Sequence, residues 1–268
     1  MMSVGSSKNS RLEAGSDAET RDSSWKSLYK IGGVAALIAA VLFRRNLGTE
    51  FMLLRSVGII NVGPTAPPET VMDWFTLLQD NKLLGLTLLN FFDMVNYALL
   101  GFIFLALYAA LRRASKSFMA IAAMLGFTAI AIYLASNQAL SMLSLSDQYA
   151  AATKDAQSAM LLAAGQATLA IHSNAGYEGA GIYTSFFLVS VAGLIISAVM
   201  LRGNIFSKVT AYVGILANGF GLGYYIALAF APAMVALPLS ISALFLLTWY
   251  ILIGRRLFQL AKTGSKEE

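Results

Sequence analysis

Cysteine is absent from the 268 residues, histidine occurs once, and only 12% of the chain is charged. Without cysteine there is no disulfide framework, no thiolate nucleophile and no sulfur-ligated metal. A single histidine cannot build the multi-histidine zinc site of a membrane hydrolase or ceramidase, or the histidine boxes of a di-iron hydroxylase. Serine-hydrolase signatures are missing as well: there is no G-x-S-x-G elbow and no rhomboid-like G-x-S-G followed by a histidine on a later span. No Walker loop provides for an ATP-driven step. The expectation is a protein with no catalytic set, no metal and no cofactor.

What the chain does contain is apolar surface: 57% of residues are hydrophobic and the mean hydropathy is +0.67, outside the range of a soluble domain of this length. The sequence predicts an all-α, polytopic membrane bundle. A spanning helix needs roughly 20 mostly apolar residues to cross a core of about 30 Å. Six stretches qualify, at about 27–43, 84–111, 118–144, 180–201, 206–230 and 235–258, within a membrane domain covering 25–262. Residues 1–24, polar and serine-rich, read as a disordered cytoplasmic tail, and 263–268 as a second short tail.

The net charge of +5 does not point to nucleic acid, because the basic residues gather at the ends of the apolar stretches. With both termini inside, the inner segments hold Lys8, Arg11, Arg21, Lys26, Lys30, Arg112, Arg113, Lys116, Arg202, Lys208, Arg255, Arg256, Lys262 and Lys266, fourteen of the 19. Arg44 and Arg45, beyond the first span, are the main objection. The reading is a prokaryotic cytoplasmic-membrane protein with two long outer connections. The first contains Pro64, Pro67 and Pro68, then a helical pattern of Val71, Trp74, Phe75 and Leu78 that starts near Glu69. The second, SDQYAAATKDAQSAMLLAAGQATLAIHSNAG, is an alanine-rich helix with a stop at SNAG. Both are expected to be interfacial helices lying against the outer mouth of the bundle.

One acidic side chain interrupts the apolar stretch LLNFFDMVNYALLGFIFLALYAALRR. If the span begins near 84, Asp93 lies about 15 Å below its outer end by the helical rise. Asn90, Asp93 and Tyr97 then share a face at i, i+3 and i+7, with Asn96 close by. A charge at that depth costs at least about 2.5 kcal/mol on insertion scales, so it should face the bundle interior or a wet cavity. Other spans offer polar groups at similar depth: Tyr133, Ser136, Asn137, Gln138 and Ser141 on the third, Tyr183, Thr184 and Ser185 on the fourth, and Asn218, Tyr224 and Tyr225 on the fifth. The candidate site is therefore Asp93, Asn90, Asn96, Tyr97, Asn137, Gln138, Tyr183, Asn218 and Tyr224, with His172 as the lone titratable ring of the second outer helix. The bland alternatives stay open: the amides serve first as hydrogen bonds between helices, the tyrosines as interfacial belt, and Asp93 as a structural carboxyl. Glycines in span five, ANGFGLG, suit close helix packing better than phosphate binding.

The N-terminal anchor, the proline-containing outer loop, the second span with its embedded Asp93 and trailing Arg112–Arg113, and the closing LLTWYILIGRRLFQLA together resemble the prokaryotic membrane family called domain of unknown function 4386. The most recognisable motif is W-x-x-x-x-G-x-x-L at Trp249, Gly254 and Leu257. The resemblance implies a six-helix bundle of bacterial or archaeal origin and transfers no catalytic residues. Three functions follow as expectations. The favoured one is binding or transport of a small amphiphile or lipid entering from the outer leaflet, anchored by Asp93. The alternative is a non-enzymatic scaffold, sensor or accessory subunit acting with a partner membrane protein or as a homo-oligomer. The third is an intramembrane enzyme using Asp93, which lacks a second carboxylate or nucleophile at usable spacing.

Overall fold

The computed structural model describes residues 25–42, 68–173 and 179–263, which form helices and, among the described residues, no strand. Among the described residues, six segments are long and apolar enough to cross a membrane. They comprise α1 (Trp25–Leu42), α4 (Phe91–Leu111), α5 (Lys116–Ser136, continued by α6, Ala139–Ala151), α8 (Gly179–Arg202), α9 (Lys208–Phe230) and α10 (Ala236–Thr263), the last preceded by a 3₁₀ turn at Pro232–Met234. The chain is a multi-pass membrane protein. Its outward surface says the same: Val41, Phe102, Met124, Phe187, Ile226 and Leu244, one from each span, are all at least 43% exposed. A soluble bundle would bury such side chains; lipid solvates them.

Packing between these helices relies on small residues, because lipid tails are as apolar as leucine and only close fit favours association. The helices follow one another round the bundle in the order α1, α4, α5, α8, α9, α10, and α10 closes back on α1. Gly32 of α1 lets the helix approach Ala106 of α4, and Gly33 faces the Gly254 carbonyl of α10. Gly126 of α5 receives the Phe104 ring of α4, Gly193 of α8 receives the Asn218 side chain of α9, and Gly214 of α9 receives Trp249 of α10. The closing motif thus has a packing role: Trp249 seats on α9, while Gly254 and Leu257 seat α10 on α1. Leu100, Ile103, Phe104, Leu107, Ile196, Met200, Trp249 and Ile253 fill the shared core.

A second, separate core lies at the end of the bundle where α4 begins. It is built by α2 (Val71–Asp80), α3 (Lys82–Leu88), α6 and α7 (Asp155–Ser173) around Val71, Trp74, Phe75, Leu78 and Met142. The sequence predicts two helices here and four are found, since α3 and α6 are pieces of predicted spans. The α2 start is set by a capping box in which Thr70 and Asp73 satisfy each other's backbone N–H groups. Asp73, rather than Glu69, is thus the acid of the first turn. An ion pair between Lys82 and Asp147, at 3.0 Å and about half exposed, links α3 to α6. Exposed pairs of this kind contribute little.

Candidate functional site

Two of the predicted spans are broken, and the breaks meet. The expected helix over 84–111 ends at Leu88, and Asn90 adopts the left-handed conformation at φ 59° before α4 starts at Phe91. The expected helix over 118–144 ends at Ser136; Asn137 is extended, Gln138 stands at the start of α6, and Ala139 begins a new helix. Asparagine suits both places because it tolerates the left-handed region and its short amide competes for backbone groups. Asn137 accepts the Ala139 N–H at 3.0 Å and donates to the Asn90 carbonyl at 3.3 Å, so one side chain ties the two breaks together.

The break corrects the expected depth of Asp93. Asp93 lies in the first turn of α4, about 4.5 Å along the axis from Asn90 rather than about 15 Å below a helix end. In the first turn an ionised carboxyl is stabilised by the positive end of the helix dipole, by about 0.3–1 kcal/mol at exposed sites. Asn90 precedes the helix, so the expected shared face with Asp93 and Tyr97 does not form; Asp93, Asn96 and Tyr97 do belong to α4. A β-branched residue has no access to the left-handed region, whereas glycine does. Asn90→Val is expected to lower stability by about 1–2 kcal/mol and Asn90→Gly to stay near wild type. Thermal unfolding of the purified protein checks this, and equal melting of the two variants would refute a strained break.

Around Asp93 the bundle places polar groups from several helices. Asn96 is buried at 7% exposure, and its side chain pairs with the Tyr250 hydroxyl of α10. Asp93 lies within electrostatic reach of both Tyr250 and Tyr97. The Tyr97 ring stacks on Tyr133 of α5 with centroids 3.8 Å apart and planes 9° from parallel. Its hydroxyl meets the Ser185 side chain of α8, which in turn donates to the Ala129 carbonyl of α5 at 2.8 Å. Among the described residues the Asn96 Oδ1 atom has no hydrogen-bond partner. An unmet buried acceptor of this kind costs of order 1–3 kcal/mol.

The remaining candidates lie elsewhere. Asn218 donates to the Gly214 carbonyl at 2.7 Å within α9 and fills the notch over Gly193, which makes it a packing group between α8 and α9. Tyr183 and Tyr224 stack with centroids 6.2 Å apart, and the Tyr225 hydroxyl donates to the Tyr183 carbonyl, forming an aromatic seam between the same two helices. Gln138 makes no side-chain cap to α6. His172 falls in the last turn of α7, with its side chain outside the described residues, as are Arg44 and Arg45. Tyr250 is not among the residues that the sequence singles out. Its only signal is that LLTWYILI pairs Trp249 with a tyrosine, a weak cue in an apolar helix.

Among the described residues no three histidine, cysteine or acidic side chains gather to hold a metal ion. The geometry brings one carboxyl group, one carboxamide and the phenols of Tyr97 and Tyr250 near one another across the bundle. Comparison with protein-family models, with curated proteins and with solved structures gives no match.

Proposed function

We propose that this membrane protein binds, and in doing so carries or senses, a small amphiphile whose polar end docks at Asp93 and Asn96. The single observation that supports it most is that Asp93 and Asn96 of α4 both approach Tyr250 of α10, with Asn96 Oδ1 left unpartnered. Buried polar groups on spanning helices are costly and, where kept, tend to serve a ligand or an ion path. The paired breaks at Asn90 and Asn137 fit the same reading, since irregular backbone within a membrane is tolerated where it lines protein or a cavity. In this reading the layer of α2, α3, α6 and α7 faces the outer side of a prokaryotic cytoplasmic membrane, both termini are cytoplasmic, and the ligand enters from the outer leaflet.

Native mass spectrometry of gently solubilised protein tests the proposal. Wild type is expected to retain a discrete small-molecule or lipid adduct that Asp93→Asn loses while keeping its helical content. A bare protein in both cases would overturn it.

A second reading, a scaffold whose polar groups only set helix register, is favoured by a different observation. Ser185, Asn218 and Ser242 each donate to backbone carbonyls at 2.7–2.8 Å, which is structural use of polar side chains. On that reading Asp93→Asn alters melting and leaves bound molecules unchanged.

A further inference from the structure

Along α9 two glycines seven residues apart, Gly214 and Gly221, face the same two neighbouring helices, and the two levels are built differently. At Gly221 the neighbours are Ser190 of α8 and Ser242 of α10, and Ser242 donates to the Ala217 carbonyl of α9 at 2.7 Å. At Gly214 they are Ser197 of α8 and Trp249 of α10, each seven residues on from its counterpart. Ser197 Oγ stands 2.3 Å and Trp249 Nε1 2.4 Å from where a Cβ at Gly214 would be, so both polar atoms point into the one notch that the glycine leaves. The two residues are 0% and 2% exposed, and neither atom has a hydrogen-bond partner among the described residues. Ser197 had an ordinary alternative: a helical hydroxyl can donate to the carbonyl four residues back, as Thr168 and Thr248 do at 2.9 and 3.0 Å. It is turned to the notch instead. The Gly214 carbonyl is already taken, accepting from Asn218 at 2.7 Å. Trp249 offers a donor only, and a buried indole N–H ordinarily finds an acceptor.

Two atoms so placed lie within about 5 Å of each other, a gap that one water closes with two hydrogen bonds of about 2.8 Å. Water suits both partners: it accepts from the indole and can donate to, or accept from, a hydroxyl. It is also neutral, whereas Gly214 lies six residues, about 9 Å, inside the Lys208 start of α9, where an ion is costly to bury. We infer that the Gly214 notch is a water-binding site, in which one water molecule accepts from the Trp249 indole N–H and bonds to the Ser197 hydroxyl, joining α8 to α10 across α9. Trp249 of the closing motif then has a hydrogen-bonding part that phenylalanine cannot take. The site is independent of any ligand at Asp93.

A crystal grown in a lipidic mesophase and soaked in sodium bromide reads the site directly. An ordered water oxygen within hydrogen-bond distance of both Nε1 and Oγ is expected. A direct hydrogen bond between Trp249 and Ser197 would overturn the proposal, and so would an anomalous bromine signal between them or two side chains bonded to nothing. A second measurement follows the protein in bilayer nanodiscs with its indole nitrogens isotope-labelled, the Trp249 signal being the one of three that Trp249→Phe removes. Its N–H proton is expected to receive magnetisation from water although the residue is buried. Ser197→Ala, which removes the hydroxyl without adding bulk, is expected to weaken that transfer severalfold. Gly214→Ala, which puts a methyl where the two polar atoms point, is expected to abolish it; should that variant fail to fold, Ser197→Ala decides. No transfer in the folded wild type, or transfer unchanged in Ser197→Ala, would overturn the bridge.

Discussion

Gly126→Val is expected to destabilise the bundle by about 3 kcal/mol, through overpacking at a site with no room to relax. A Cβ at Gly126 would stand 2.1 and 2.2 Å from two ring carbons of Phe104, far inside contact distance. Phe104 is 1% exposed and sits in the shared core beside Leu100, Ile103 and Leu107, so its ring has no free space to enter. The cost reaches further than the pair. The α4–α5 contact also holds the Tyr97–Tyr133 stack and the Asn90–Asn137 bond, so parting the helices at Gly126 disturbs the candidate site from below. Trimming the ring should help: Gly126→Ala combined with Phe104→Leu is expected to melt closer to wild type than Gly126→Ala alone, with a coupling of 1 kcal/mol or more. Differential scanning fluorimetry on the four proteins measures it, and strictly additive shifts would mean that these helices are not in the contact described.

Phe75→Ala is expected to cost about 3–5 kcal/mol, and to spend it locally. Phe75 is 1% exposed, packs against Tyr149 with ring centroids 5.4 Å apart, and stands where a Cβ at Gly165 would strike it. Its carbonyl also accepts from Ser146 Oγ at 3.1 Å. This core shares no buried residue with that of the spanning helices. Removing the ring should therefore loosen α2, α6 and α7 while the bundle persists. Amide exchange followed by mass spectrometry distinguishes the cases. Faster exchange confined to 71–80 and 139–173 is expected, and equal acceleration in α4, α8 and α10 would show that the two layers unfold as one.

The six spans were legible in the sequence because a run of about 20 apolar residues has few other places to go. The α2 helix was legible too, since Val71, Trp74, Phe75 and Leu78 repeat at helical spacing; its cap at Thr70 came from the structure. The breaks were not. Asn90 and Asn137 sit in stretches that continue apolar on both sides, and an asparagine within a spanning stretch is also compatible with unbroken helix. The two breaks are joined by a bond between residues 47 apart in the chain, which no local pattern carries. The depth assigned to Asp93 failed for the same reason, being counted from a helix start seven residues too early. Asn218 looked like a site residue because polarity was all that sequence offered. Its partners, the Gly214 carbonyl and the Gly193 notch, make it a packing element.

The sequence by itself determined the membrane class and the number of apolar spans, because these depend on transfer energies that add residue by residue along the chain. Only the tertiary structure decided which polar groups meet, where two spans break, and that Tyr250 belongs beside Asp93 and Asn96. Those depend on which face of each helix turns inward. In a bundle apolar on all sides, hydrophobicity does not choose that face; glycine notches and interhelical hydrogen bonds do.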